Sequence, residues 1–346
     1  MINTQKIYEE WKMKQEQIHK NPYTFQDILD CKDLTGNITK LHRDWFDLRS
    51  FDGLTNPRKW AGNKIIYHFQ IHNLLKCRRG DKGYKTLEEW FSDPILKEKL
   101  WKDTLVRNRR KKGINSSPCD VYECHRLNNG AIVPFKSSTA KYVYTLFNAT
   151  NVLDPTAGWG GRMLGASSMG ISYTGIDTNV EMKEAYEGMK EMGFAENCEM
   201  IWDSCFNVNF HLGYDKEYDL VLTSPPYSNM EIYEHMSPWE NDDRFYETFM
   251  MPLMVKLFTE VSCPICINMS PKMYKDLTTK YNLGLCDEKI DMRQQLGKQF
   301  KTKSQDYIYV WRPVRTLPEH ISHKMSGHYW KYWDAIENGD IDLITL

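Results

Sequence analysis

The stretch "YDLVLTSPPYSNMEIY" (218–233) begins as an apolar run and stops at Ser224-Pro225-Pro226-Tyr227. Asp219-Leu220-Val221-Leu222 has the pattern of a buried strand. Neither proline can donate to a sheet ladder and each fixes its own φ, so past Ser224 the chain leaves the sheet as a stiff loop. That loop offers carbonyls, one hydroxyl and the ring of Tyr227, a set suited to holding a partner rather than attacking one.

Three further stretches end in residues able to bind a ligand. Asp154-Pro155-Thr156-Ala157-Gly158-Trp159-Gly160-Gly161 follows a short apolar run. Its glycines permit a tight turn and close approach of a ligand to the backbone. The spacing is neither G-x-G-x-x-G nor a phosphate loop with Lys-Ser/Thr, which disfavours a nicotinamide cofactor and a nucleoside triphosphate. Asp177, in "GID", lies about 20 residues on, where a carboxylate can accept from ribose hydroxyls. Asp203, in "WDSC", could accept from an adenine amino group. Each alone is more ordinary as a helix cap. Four in order on successive strand ends call for a ligand.

The elements that position these residues alternate. "NVLD", "SYTGID", "CEMIWDSC", "YDLVLT", "CPICINMS", "CDEKIDMR" and "DYIYVWRP" read as strands, with helices over "STAKYVYTLFNA", "RMLGASSMG", "VEMKEAYEGMKEMGF" and "DDRFYETFMMPLMVKLFTEV". The alternation predicts an α/β domain over 130–312 with a parallel sheet, which binds ligands beyond the carboxyl ends of its strands. Residues 1–112 read as mainly helical. In "TLEEWFSDPILKEKLWKDTLVRNRR" (86–110), Leu87, Trp90, Phe91, Ile95, Leu96, Leu100 and Leu105 recur at helical spacing, with a break at Asp93-Pro94. "GINSSPCD" has turn composition, so 113–129 reads as a linker and 313–346 as a C-terminal tail.

The net charge of −1 hides a division: residues 1–150 carry 27 Lys and Arg against 17 Asp and Glu, and the remainder carries 18 against 29. The excess gathers at Arg78 and Arg79 in "KCRRGDKGYK" and at Arg107, Arg109, Arg110, Lys111 and Lys112 in "RNRRKKG". Either cluster alone is ordinary as a solvated face. Together they predict nucleic-acid binding by this half. No apolar run reaches the ~18 residues of a membrane span, and the charged start lacks a signal core. Nine cysteines spread along the chain fit reduced thiols in an intracellular, cytoplasmic setting. Cys263-Pro264-Ile265-Cys266 has no second pair at zinc spacing, so no metal is expected.

"DPTAGWGG", "GID", "WDSC" and "TSPPY", in that order, resemble the S-adenosyl-L-methionine-dependent amino-methyltransferases of DNA, over roughly 130–312. The resemblance implies a Rossmann-like seven-stranded methyltransferase domain. It implies that Asp154, Thr156, Gly158, Trp159 and Gly160 wrap the amino acid part of S-adenosyl-L-methionine, with Asp177 at the ribose and Asp203 at the adenine. Phe135, Lys136, Ser137 and Ser138, in "PFKSSTAKYVYTLF", complete that pocket. Trp159, unusual in such a loop, either covers the cofactor or packs under the next helix, with packing favoured.

For the tetrad the resemblance implies methyl transfer to an exocyclic amine of a base. Such a nitrogen is a poor nucleophile, and needs acceptors around its N–H groups and an in-line methyl donor. Ser224 and the Pro225 carbonyl would accept, Pro226 would stiffen the loop, and Tyr227 would stack on a base outside its duplex. Ser in first place favours cytosine N4 over adenine N6. The rival readings are an RNA base methyltransferase and a DNA-binding subunit without catalysis. Target recognition often follows the catalytic domain in related enzymes; here only 34 residues lie past the last strand, so recognition is expected upstream, in a loop or on a partner.

Overall fold

The computed structural model describes residues 20–54, 60–80, 83–111, 116–130, 132–211, 217–230, 232–233, 236–292 and 307–312. The described parts of 1–37, 71–133 and 231–234 form one compact unit, and those of 38–70, 134–230 and 235–346 form another.

The second unit is built on seven strands: β1 (Asn151–Asp154), β2 (Ser172–Ile176), β3 (Cys198–Ile201), β4 (Leu220–Thr223), β5 (Ile265–Met269), β6 (Glu288–Asp291) and β7 (Tyr307–Trp311). Their order is β3-β2-β1-β4-β5-β7-β6. The first five run parallel, and β7 is antiparallel to both β5 and β6. This is a Rossmann-like α/β fold: the alternating pattern predicts its parallel sheet, and the resemblance its seven strands. Central strands are covered on both faces and so read as continuous apolar runs; Leu220, Val221, Leu222, Ile265, Cys266 and Ile267 are all fully buried. From β1 the chain moves outward to β2 and β3, then returns to the other side for β4. That reversal opens a crevice beyond the carboxyl ends of β1 and β4.

The helices follow local signals. Ser137–Phe147 and Gly161–Ser167 pack so closely that a Cβ on Gly165 would stand 2.8 Å from that of Ala140. The single long helix read from 242 to 260 is instead Asp242–Phe245 and Met251–Glu260 joined by a π turn over Tyr246–Met250. Pro252 is the cause: it has no N–H for the Thr248 carbonyl and its ring would strike that oxygen, so the turn widens. A further helix, Pro271–Thr279, is capped by Ser270, whose Oγ accepts from the Met273 N–H at 3.2 Å.

The boundaries of the compact units depart from those read at 112 and 130. Residues 38–70 belong with the sheet because their apolar positions are spent there: Leu41, Leu48, Ile65 and Ile66 are fully buried. Trp45 packs on Phe194 at 5.5 Å, and Lys141 Nζ donates to the carbonyls of Leu48 and Arg49 at 2.9 and 3.0 Å.

In the first unit, Leu87–Ser92 and Pro94–Lys111 meet at the expected break, where Asp93 accepts from the N–H groups of Ile95 and Leu96. Ile95, placed on the apolar face by spacing, is instead 80% exposed. Residues 113–129 are not a linker throughout, since Pro118–Asn128 is a helix. The Ser-Pro-Cys-Asp composition that suggested a turn is a capping box. Ser117 Oγ accepts from the Asp120 N–H, Asp120 accepts from the Ser117 N–H, and Pro118 opens the first turn. The 313–346 tail lies outside the described residues.

Candidate active site

Four strand ends meet the crevice, and a buried carboxylate joins two of them. Asp154 ends β1 and is fully buried. Its Oδ2 accepts from Arg162 Nε and from Tyr173 Oη, both at 2.6 Å. Its Oδ1 accepts from Thr223 Oγ1 at 2.8 Å and from the Thr156 N–H at 3.4 Å. Burial first, and then Asp154, pushes the Tyr173 phenol well above its usual range, so the tyrosine is the donor. A carboxylate has about four lone-pair sites, and protein groups take them all. The Asp154 side chain therefore frames the loop, and ligand contacts pass to the backbone that follows.

Arg162 ties that backbone down. Its Nη2 donates to the Thr156 carbonyl, and its guanidinium stacks on the Phe135 ring at 5.1 Å. Gly158 and Gly160 have φ of +60° and +89°, the left-handed region that side chains resist. A Cβ on Gly158 would meet Arg162 Nη2 at 3.8 Å and the Thr156 carbonyl at 3.9 Å, ordinary contact distances, so its left-handed φ rather than crowding favours glycine there. Gly161 has no such room, since a Cβ there would collide with the Phe135 carbonyl. This close approach brings the start of the Phe135–Ser138 segment to the loop. Ser137 and Ser138 are fully buried at the start of their helix, and Ser137 Oγ has no hydrogen-bond partner. Lys136 Nζ lies over the Trp60 ring at 4.4 Å. Trp159 is buried, in keeping with the packing role.

Asp177 follows β2. Its Oδ2 accepts from the Gly158 N–H at 2.7 Å, and its Oδ1 from the Asn179 N–H at 3.0 Å. Burial pushes its carboxyl up to about 6, although both N–H bonds pull the other way. Tyr186 donates to the Gly158 carbonyl at 2.6 Å and meets the Trp202 ring edge-on at 5.4 Å. Asp203 sits beyond β3 on the same edge of the sheet but is exposed. Its Oδ1 accepts from the Ser204 N–H and Asn207 Nδ2, a local turn with no bond to the loop.

The tetrad leaves β4 beside this loop. Thr223 Oγ1, which bonds Asp154, also lies 2.6 Å from Thr156 Oγ1, so the residue before Ser224 is fastened to the glycine loop. Pro225 and Pro226 are buried; Ser224 and Tyr227 are half-buried. Ser228 has φ of +49°, a strained value for serine directly after the tetrad. Asn229 then grips Trp239, its Nδ2 donating to the Trp239 carbonyl at 2.6 Å and its Oδ1 accepting from that residue's N–H at 2.8 Å. From β5, Asn268 Nδ2 approaches Ser224 Oγ at 3.1 Å and Tyr227 Oη at 3.2 Å. Sequence reasoning missed Asn268, Thr223, Arg162 and Tyr186. A lone amide in the apolar strand "ICINM" was the one available signal.

In the first unit, Arg78 stands 3.7 Å from Glu89 and Arg107 stands 3.9 Å from Glu123, so each cation has a carboxylate beside it. Arg79 packs its aliphatic stem on Gly130. Arg109, Arg110 and Lys111 lie in the last turns of Pro94–Lys111, and Lys112 lies outside the described residues. Cys266 is buried in β5 and Cys263 is buried just before it, and no described group of His, Cys, Asp and Glu is arranged to hold a metal. No described helix is long and apolar enough to cross a membrane.

No family model and no curated protein matches the chain. Among solved structures, an RNA methyltransferase from Salinibacter ruber in complex with S-adenosyl-L-homocysteine is 17% identical, with a TM-score of 0.36 over 54% of this chain and 97% of that one. An rRNA methylase from Streptococcus thermophilus is 14% identical, with a TM-score of 0.35 over 53% and 100%. The tRNA (m1A58) methyltransferase TrmI from Aquifex aeolicus is 10% identical, with a TM-score of 0.38 over 54% and 72%.

Proposed function

We propose that this protein is a methyltransferase that uses S-adenosyl-L-methionine to methylate the exocyclic amine of a nucleobase in DNA, cytosine N4 ahead of adenine N6. The observation that carries the reading is the fastening of Ser224 to the glycine loop through Thr223, Asp154 and Thr156. A methyl donor and an acceptor must lie within one bond length of reaction, and the crevice between β1 and β4 is where the two loops converge.

The residues present fit the cofactor. Gly158 holds a left-handed backbone with no side chain of its own, and Asp177 offers carboxylate oxygens beside it, as a ribose requires. When bound, S-adenosyl-L-methionine supplies a sulfonium whose methyl carbon is electrophilic. The chain's own part is to hold the amine. Ser224 Oγ and the Pro225 carbonyl accept from its N–H groups, localising the lone pair and stabilising the charge that grows on nitrogen. Tyr227 stacks on the ring, which demands an unpaired or extruded base. The buried prolines keep these acceptors from rearranging. Cysteine nucleophiles are not called on: burial pushes the thiols of Cys198, Cys205 and Cys263 up to about 12.

The basic stretch from Arg107 to Lys112, with Arg78 and Arg79, is assigned to phosphate contact on its charge. Nucleoside mass spectrometry of DNA and RNA from cells expressing the protein, against a Pro225→Ala control, tests the whole reading. N4-methylcytosine in DNA, absent from the control, is the expected result. N6-methyladenine corrects the base, a methylated RNA base corrects the polymer, and no new base in either polymer overturns the enzyme reading.

A further inference from the structure

The amide of Asn268 stands apart from every other side chain near the tetrad. It is the fourth residue of β5, all of whose positions are buried, and is itself only 6% exposed. The neighbouring residue Ile267 pairs with Thr223, so Asn268 comes level with Ser224. Its Nδ2 is shared between Ser224 Oγ at 3.1 Å and Tyr227 Oη at 3.2 Å, which uses both amide hydrogens. Its Oδ1 has no hydrogen-bond partner although it is buried. A polar residue in the middle of a sheet is expensive unless all of its groups are satisfied, and half of this one is not.

The amide geometry limits where the missing donor can be. Oδ1 and Nδ2 share one carbon, which sets them roughly 2.3 Å apart, so Oδ1 lies beside the two hydroxyls that Nδ2 touches. Oδ1 is closed to water, so a donor reaches it only from a base seated against Ser224 and Tyr227. Ser224 Oγ already receives one N–H from the amide, and has one lone-pair direction left. An amine has two N–H groups to satisfy, and a second strong acceptor at the same spot serves it.

We propose that Asn268 is a substrate-contacting residue: its Nδ2 fixes the Ser224 and Tyr227 hydroxyls in place, and its unpartnered Oδ1 accepts an N–H of the amine that is methylated. This rests on the methyl-transfer reading above. As the nitrogen gains its new carbon it becomes cationic and its N–H groups more acidic, so a carbonyl held beside it bonds the transition state more strongly than the ground state. The N–CH₃ bond forms as the S–CH₃ bond breaks and the sulfur keeps the electron pair as S-adenosyl-L-homocysteine; the proton then passes from the nitrogen to water and not to Asn268, because a neutral amide is no base.

Single-turnover methylation separates the possibilities, using tritiated S-adenosyl-L-methionine and heat-denatured DNA or total RNA, whichever the wild-type protein labels. Asn268→Leu, of similar size, is expected to slow methyl transfer about 100-fold or more, while S-adenosyl-L-homocysteine affinity and melting temperature stay close to wild type. Asn268→Asp keeps an oxygen at Oδ1 and is expected to retain at least a tenth of the wild-type rate. A rate within threefold of wild type in Asn268→Leu overturns the inference and leaves the methyl-transfer reading intact. A fall in cofactor affinity as large as the fall in rate shows a structural role and also overturns it. Should Asn268→Leu not fold, Asn268→Asp decides: a loss beyond tenfold overturns the acceptor role. If the wild type labels neither polymer, the methyl-transfer reading fails, and this inference with it.

Discussion

Thr223 Oγ1 donates to Asp154 Oδ1 at 2.8 Å, and through that bond the ends of β4 and β1 become one object. The same hydroxyl lies 2.6 Å from Thr156 Oγ1 and is fully buried. Loss of the hydroxyl leaves the buried Asp154 Oδ1 and the half-buried Thr156 Oγ1 each short of a partner. Thr223→Val, close in shape, is expected to cost about 1–3 kcal/mol of stability, read as a lower urea midpoint. Methyl transfer should fall further than S-adenosyl-L-homocysteine affinity, since the tetrad loses its fastening to the cofactor loop. Equal falls in both would show that Thr223 supports only the fold.

Asp154 is expected to act through folding. Asp154→Ala strands the buried Arg162 guanidinium, and breaking such a pair costs about 3–5 kcal/mol. The variant should melt well below wild type even without cofactor. A normal melting curve with lost cofactor binding would return Asp154 to the role of direct ligand.

Asp177 gives a pH signature with two opposed signs. Its carboxyl titrates at about 6 in the folded chain against 3.8 ordinarily, chiefly because of burial. The folded state thus holds the proton more tightly, and its contribution to stability, full below 3.8, is lost as pH rises through about 6. Cofactor affinity runs the other way, since the ionised carboxylate is the better acceptor for ribose hydroxyls. S-adenosyl-L-homocysteine binding by calorimetry should strengthen from pH 5 to 7 and level off, and Asp177→Asn should flatten the profile.

His125 belongs to the first unit, buried against Trp90 at 5.8 Å. Burial pulls its imidazole down to about 4 from 6.5, against a hydrogen bond to the Lys85 backbone. The unfolded chain binds the proton more readily, so stability is full above about 6.5 and is lost as pH falls toward 4. His125→Gln should abolish that slope in denaturation curves recorded across the window.

Charge in the basic stretch is testable through salt. Replacing Arg109, Arg110 and Lys111 with alanine should weaken binding to many nucleic-acid sequences alike. The slope of log affinity against log salt should shrink by about 1 for each phosphate left without its cation. Arg107, with Glu123 at 3.9 Å, should contribute less than its neighbours. An unchanged slope removes the stretch from the interface.

The sheet and both loops were legible because the central strands β1, β4 and β5 are short apolar runs with Asp, Pro or Gly close behind them, a pattern local to the chain. The helix Pro118–Asn128 was hidden because Ser117-Pro118 reads as a turn until Asp120 is seen to close a capping box. Pro271–Thr279 went unread for the same reason, its cap and its proline looking like loop. Residues 38–70 lie far along the chain from the sheet they pack on, and helical periodicity does not name a partner. The roles of Asp154 and Asn268 were beyond reach for a related reason: their side-chain partners stand 8 to 69 and 41 to 44 positions away.

The grip of Asn229 on Trp239 has a consequence for how this protein can change. One side chain copies a strand's donor and acceptor, and so closes the neck of the intervening chain with its two end residues. Closure entropy grows slowly with length, so residues added or removed between these two posts alter little at the neck. Selectivity could therefore drift by insertion and deletion here, generation after generation, while the reacting end of the molecule stays fixed.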